Sequence, residues 1–421
     1  MAKNKQILIY TNIAFIVALF FSNLPVALAA TSVSTADIEI AGWIPYWSIV
    51  AGAKDAETHI DALDILHPFG YSVKTDGTLS DLAKVDKKNS DLTARAAWQS
   101  LFSLARDKDV KIVPTVMWSS GADIEKILSS KSARKKHIKA ITDLVKKEKF
   151  DGVNIDYEGK LVATKDDFPI FLKELKKALG KSKILTCAIE ARTPPESLYR
   201  VVPENLEYAN DYKQIGKYCD QVEIMTYDQG RADWKLNEAK SGTPYRPVAD
   251  TDWVRKVAEF ALEDIPKEKI VLGVATYGGE YEVSVSPNLF SAYKKVQSVN
   301  NPYALQVAEA YKITPLRNKA GELSFSYLPY NGTPERAALT AMLPKLTVPA
   351  GTQSGDVVAQ KALAYANATG KSTKFNMLWW SDAQAIKDKI DLVSELGLKG
   401  IALFKIDGEA DAAMWTVINQ P

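Results

Sequence analysis

The residues best placed to do chemistry lie in Phe150–Glu158, which reads Phe-Asp-Gly-Val-Asn-Ile-Asp-Tyr-Glu. Side chains alternate along a strand, so Asn154, Asp156 and Glu158 share one face and Val153, Ile155 and Tyr157 the other. Two carboxylates closing such a face make a poor core and a good proton-handling site, because neighbouring acids push each other's pKa values apart. An acid kept protonated near neutral pH by burial beside an anion suits general acid catalysis. The plain alternative is an ordinary strand with a solvated polar end.

Such residues need a scaffold that gathers strand ends. Strand-like runs read at 38–47, 65–73, 111–118, 150–158, 184–190, 221–228, 269–278 and 400–407. Helix-like stretches fall between them: 94–107, 133–148, 167–179, 195–218, 252–264 and 383–396. In 133–148, Ile138, Ile141, Leu144 and Val145 recur at helical spacing and the lysines fall outside them. Alternating strands and helices argue for parallel pairing with right-handed crossovers. Eight such units fit an α/β (β/α)8 TIM barrel. A doubly wound open sheet is the alternative, but it would bring a glycine-rich turn after the first strand, where this chain has Trp43-Ile-Pro-Tyr-Trp47. The stretch of about 279–375 is too long for a loop and reads as a small α+β insertion after the seventh strand, with a helix at 303–311 and a strand at 323–328. Residues 344–372, rich in Thr, Gly, Ala and Ser, are expected to include a loop.

In a barrel the active site lies where the strands end. Those ends supply Trp43, Tyr46 and Trp47; Phe69 and Tyr71; Trp118; Asp156 and Glu158; Glu190; Met225, Tyr227 and Asp228; Tyr277; and Phe404 and Asp407. The result is an acidic bowl lined with rings, which can stack on the apolar faces of sugars. A net charge of +2 points to neither a nucleic acid nor an anionic membrane as partner. His59, His67 and His137 lack ligand spacing, so no metal site is expected. Nor is a cofactor. Lys3 and Lys5, an apolar run from Ile7 to Phe21, and Ala27-Leu28-Ala29 read as a signal peptide over 1–29. An uncleaved anchor is the alternative. The catalytic region then covers 36–421 of an exported protein, without membrane attachment after cleavage. Cys187 and Cys219 read as two buried free thiols, although export would permit a disulfide.

Asp151 to Glu158, with the spacing Asp-Gly-x-x-x-Asp-x-Glu, resembles the catalytic signature of glycoside hydrolase family 18, the chitinase-like enzymes. Gly42–Trp47, Met225–Asp228, Ile270–Gly278 and Gly397–Asp407 extend the resemblance over nearly all the mature chain. It implies a retaining glycosidase in which the substrate's own 2-acetamido oxygen attacks the anomeric carbon, giving an oxazolinium ion. On that analogy Glu158 is the general acid and then the base. Asp156 bonds the acetamide N–H, and Tyr227 holds its carbonyl oxygen. Asp228 binds the sugar, and Asp151 supports the strand from behind. Asn154, Met225, Trp43, Tyr46, Phe69, Trp118, Glu190, Tyr277 and Phe404 complete the expected substrate contacts.

Two positions depart from the family pattern. Asn154 stands where many chitinases have Asp, and is expected to donate an amide hydrogen bond toward Asp156 and favour its ionised form. Phe404 stands where a Trp is usual. The expected substrate is a β-1,4-linked N-acetylglucosamine polymer, chitin or its oligomers, acted on by a monomer. Peptidoglycan strands are the alternative, supported by Asn-Ile-Asp-Tyr-Glu and by the run at 266–273. A non-catalytic lectin on the same fold is a third reading, disfavoured because Glu158, Asp156 and Tyr227 are all present.

Overall fold

Short runs of Val, Ile and Leu build the central sheet of the computed structural model, which describes residues 38–86, 90–329 and 334–419. The signal-peptide reading of 1–29 falls outside these residues. The first half of the chain runs β1 (Glu39–Pro45), α1 (Ile49–Thr58), β2 (Ile65–Val73), β3 (Leu79–Asp81), α2 (Leu92–Asp107), β4 (Lys111–Ile112), β5 (Thr115–Trp118), α3 (Gly121–Ser129), α4 (Lys131–Glu148), β6 (Gly152–Tyr157), α5 (Asp167–Leu179) and β7 (Ile184–Glu190). It continues through α6 (Pro195–Leu198), α7 (Tyr212–Tyr218), β8 (Gln221–Met225), α8 (Trp234–Ala239), α9 (Thr251–Leu262) and β9 (Ile270–Ala275). A second sheet region holds β10 (Gly278–Ser286), β11 (Leu289–Val299), α10 (Asn301–Ala310), β12 (Leu316–Arg317), β13 (Leu323–Tyr327), α11 (Pro334–Met342), α12 (Val357–Thr369) and β14 (Thr373–Trp380). The chain closes with α13 (Ala383–Leu396), β15 (Gly400–Phe404) and α14 (Met414–Ile418).

Parallel pairing runs β1-β15-β9-β8-β7-β6-β5-β2, and β2 pairs back to β1, so eight parallel strands close into a (β/α)8 TIM barrel. The expected strand at 111–118 is broken: β4 and β5 flank Val113-Pro114, because proline has no N–H to give to a ladder. The Pro114 carbonyl still accepts from the Asn154 N–H at 2.9 Å.

The outer helices follow the apolar stripes. In α5, Phe168, Phe171, Leu172 and Leu175 are fully buried. Phe168 and Phe171 pack on the ring of Tyr157, on the outer face of β6. Burying those four side chains is worth roughly 6–12 kcal/mol relative to exposure. Caps set the ends: Ser130 accepts from the Ala133 N–H to start α4, and Gly397, at φ 63°, ends α13 just before β15.

Two expectations need correction and one needs extending. Residues 195–218 are not mainly helical: α6 and α7 are short, and Val202-Pro-Glu-Asn205 between them breaks the helical run. Residues 344–372 include the expected loop, at 346–353, but also α12, whose alanines carry the helix propensity that the surrounding Thr and Gly obscure. Cys187 and Cys219 form a disulfide, with Cα atoms 6.1 Å apart. Neighbouring β7 and β8 bring them together, since Cys187 pairs with Val222, three residues after Cys219.

The insertion spans Gly278–Trp380, slightly wider than expected, because β14 returns to pair with β10. Its antiparallel sheet has the order β11-β10-β14-β13-β12. The entry turn requires glycine: a Cβ on Gly278 would stand 2.2 Å from the Trp379 carbonyl oxygen.

Candidate active site

The alternation read along β6 holds in three dimensions. Tyr157 points out to the helices, where its hydroxyl meets His137 Nε2 and His137 Nδ1 reaches the Gly77 carbonyl at 2.6 Å. Asn154 and Asp156 point into the barrel, both buried, and Glu158 follows at the rim. Asp156 and Glu158 line a cleft of 630 Å³ with Tyr46, Phe69, Trp118, Ser120 and Asp123 among the other walls.

Burial, and after it the charge of Glu158, push the Asp156 carboxyl well above the usual carboxylate range; Lys160 opposes them. The amide hydrogen bond expected from Asn154 to favour the ionised form of Asp156 is not made, because that amide donates to Thr186 and Glu223 instead. Glu158 is also raised, by burial first, then by Glu190 and Asp228, again against Lys160. Lys160 sits inside, its ammonium bonded to the Tyr157 carbonyl and 3.6 Å from Glu190 Oε2. Burial lowers its pKa, countered by the acids around it. Glu190 is fixed by the Gly159 N–H at 2.9 Å and Asn210 Nδ2 at 2.6 Å. Despite its burial, the Lys160 charge and these donors hold Glu190 below its ordinary value. Asp156 Oδ1 is buried and has no hydrogen-bond partner.

The opposite wall comes from β8, β9 and β15. Tyr227 stacks on Phe404, ring centroids 5.4 Å apart. Gly273 on β9 makes room for it: a Cβ there would meet Tyr227 Cε1 at 2.8 Å. Burial, and secondarily Asp156 and Glu158, raise the Tyr227 hydroxyl well above its ordinary pKa, so it stays a neutral donor. Asp228 takes the left-handed conformation at φ 55° and is exposed; the Tyr277 hydroxyl donates to its Oδ1 at 2.9 Å. Met225 and Phe404 are half-buried. Tyr46 and Trp47 are exposed at the mouth, with Trp47 edge-on to Phe69.

Several expected contacts lie beneath the cleft rather than in it. Trp43 is buried at 2 % exposure under Phe404 and stacks on His67. Asp151 sits at the far end of β6, where it accepts from the Ile112 N–H at 2.9 Å. Asn154 is fully buried, so it offers no surface to a sugar, and its amide does not turn to Asp156. It donates to Thr186 Oγ1 at 2.7 Å and to Glu223, while its carbonyl accepts from Thr115 Oγ1 at 3.0 Å. Thr115 in turn accepts from the Trp43 indole at 3.1 Å.

Beyond Glu223 lies His67 Nε2 at 2.9 Å, both side chains fully buried. Burial opposes a charge on His67, but Glu223 and the Val113 carbonyl outweigh it and raise its pKa. This polar floor was missed in the sequence. Its signal was the period of two along β8, which puts Glu223 on the inward face with Met225 and Tyr227. Lys160, two residues beyond Glu158, was missed as well. Among the described residues no group of three or more His, Cys, Asp or Glu is arranged to hold a metal ion.

The description of glycosyl hydrolases family 18 matches residues 54–409. The chain belongs to that family. It is 27% identical over 206 residues to an uncharacterized glycosylase, YvbX, of Bacillus subtilis, covering 48% of this chain and 54% of that protein. It is 22% identical to the cortical fragment-lytic enzyme of the same organism, over 66% of this chain and 52% of the relative. The chain thus spans about half the length of these relatives. In fold it resembles the spore cortex-lytic enzyme SleL of Bacillus cereus, with a TM-score of 0.64 at 19% identity over 90% of this chain and 73% of that one. The chitinase of Chromobacterium violaceum gives a TM-score of 0.65 at 18% identity, over 91% and 98% of the two chains.

Proposed function

We propose that this glycosidase hydrolyses β-1,4-linked N-acetylglucosamine polymers with retention, through attack by the substrate's own acetamide oxygen. The observation that carries the reading is the orphaned Asp156 Oδ1, buried beside Glu158 at the cleft floor. A buried acceptor without a partner costs stability unless a ligand supplies the donor. An acetamide N–H is such a donor, and bonding it turns the carbonyl oxygen toward the anomeric carbon. Tyr227, kept neutral, donates to that oxygen. Glu158, raised by its surroundings, gives its proton to the leaving oxygen and then takes one from water. Negative charge on the Asp156 carboxylate, facing the acetamide N–H, would stabilise the positive intermediate.

Peptidoglycan strands are a second reading, favoured by the likeness to cortical fragment-lytic enzymes. Export through a signal at 1–29 belongs to the same proposal, and the Cys187–Cys219 disulfide supports an oxidising compartment.

The test is hydrolysis of chitin oligomers, their deacetylated counterparts and purified glycan strands, with products identified by mass spectrometry. N-acetylated chains should be cut and deacetylated ones left intact. Glu158→Gln, which keeps size and removes the proton, should lower turnover by about two to four orders of magnitude. Cleavage of deacetylated chains, or near-normal turnover by the variant, contradicts the mechanism.

A further inference from the structure

The segment after β8 carries two cations that the chemistry above leaves unused. Gln229 N–H donates to the Val248 carbonyl and Gly230 N–H to the Pro247 carbonyl, each at 3.0 Å. This short ladder lays Arg246 against Gly230, two residues beyond Asp228. The approach is close: a Cβ on Gly230 would stand 2.9 Å from Arg246 Cζ and 3.0 Å from Nη1. On its other side the guanidinium lies 5.6 Å from the ring centre of Tyr281, which comes from β10 of the insertion. Arg246 is only half-exposed, and its Nε is buried without a hydrogen-bond partner. Arg231, on the same segment, sits 5.8 Å over the ring of Tyr293.

Neighbouring cations are neutralised. Lys240 pairs with Asp250 at 2.5 Å and Lys256 with Asp233 at 2.6 Å. Among the described residues neither Arg246 nor Arg231 has a carboxylate within ion-pairing distance. Asp228, the acid beside them, is engaged by Tyr277 instead. A planar fork held against the Gly230 peptide and beside Tyr281, whose hydroxyl it bonds, and with no carboxylate partner, is preorganised for binding of a carboxylate.

We propose that Arg246, with Arg231 adding to the local field, binds a carboxylate carried by the glycan. The insertion side of the cleft would then select an acidic N-acetylglucosamine polymer, one in which alternate sugars bear a lactyl ether, over plain chitin. This rests on the reading of the cleft as a glycan site. The carboxylate has two sources in such a polymer, a free lactyl group or the peptide attached to it.

The experiment is calorimetric binding to the full chain carrying Glu158→Gln, so that nothing turns over. The probes are chitotetraose, a lactyl-bearing tetrasaccharide with free carboxylates, and the same tetrasaccharide with its peptides attached. At least one acidic probe should bind more tightly than chitotetraose, and which one identifies the source. Adding Arg246→Gln should reduce that preference by about 10- to 100-fold, the worth of a charge-assisted pair, and Arg246→Lys should restore part of it. In unaltered Arg246 protein the preference should shrink as salt rises from 50 to 300 mM, a check that needs no stable Arg246 variant. No preference for either acidic probe, or an equal loss on neutral and acidic probes in Arg246→Gln, overturns the assignment. Wild-type protein that binds acidic glycan through Arg246 yet hydrolyses no glycan would sink the hydrolase reading and leave this one standing.

Discussion

Lys160 restrains the upward shift that burial gives the acid pair. Its charge opposes the upward push on both Asp156 and Glu158. Glu158 must hold a proton at the first step, so activity falls as pH rises through its raised pKa. Removing the ammonium in Lys160→Met lets that pKa climb further, and the alkaline limb of the kcat/KM profile should move to higher pH. A purely structural role, through its bond to the Tyr157 carbonyl, would depress the rate at every pH and leave the limb where it was. The acids were legible from spacing alone, but Lys160 was not, because only the fold after Gly159, at φ 63°, turns it inward. Asn154 was legible as an inward residue and misread in its partner. Its amide has better acceptors in Thr186 and Glu223, which reach it from strands far along the chain.

At the level of strands and helices the apolar periods carry the barrel. Eight strand positions and the amphipathic helices α2, α4, α5, α9 and α13 were readable because each buries one continuous stripe. What escaped reading was set by contacts distant in sequence: the pairing of β14 with β10 and the crossing of a disulfide between β7 and the start of β8. Gly273 shows how an element serves the site. It lies mid-strand in β9, where glycine costs order, and its missing side chain is occupied by Tyr227. Gly273→Ala forces the Tyr227 ring or the Ile224 carbonyl, 2.9 Å away, to shift. The expected result is a fall in kcat of at least tenfold, with a stability loss of about 1–3 kcal/mol from overpacking. Denaturant melts and kinetics on one oligosaccharide check both; unchanged kcat in a folded variant removes Tyr227 from the positioning role.

For the molecule as a whole the disulfide is the one covalent tie, closing a loop of sequence separation 32. The chain-entropy model gives such a loop about 3–4 kcal/mol of stability. Replacing both Cys187 and Cys219 by Ser should lower the free energy of unfolding by that amount in urea melts, while the floor of the cleft and kcat survive. An equal melt for the two proteins would mean that the ladder between β7 and β8 already sets their register without the bond.

Glu322, just before β13, has a consequence for the order in which the molecule is made. Its fully buried carboxylate accepts from the Val248 and Ala249 N–H groups, each at 2.9 Å, and from the Trp379 indole at 2.6 Å. Val248 is also the residue to which Gln229 pairs, so the lip beside Asp228 hangs from an acceptor 74 residues further along. At roughly 5–20 residues per second, those amides are synthesised about 4–15 s before their partner. The barrel's fourth strand can be complete while the rim of the cleft is still unformed. A nascent chain arrested before residue 322 should therefore present a lip open to protease at 229–249, and only the arrival of β13 and β14 should close it.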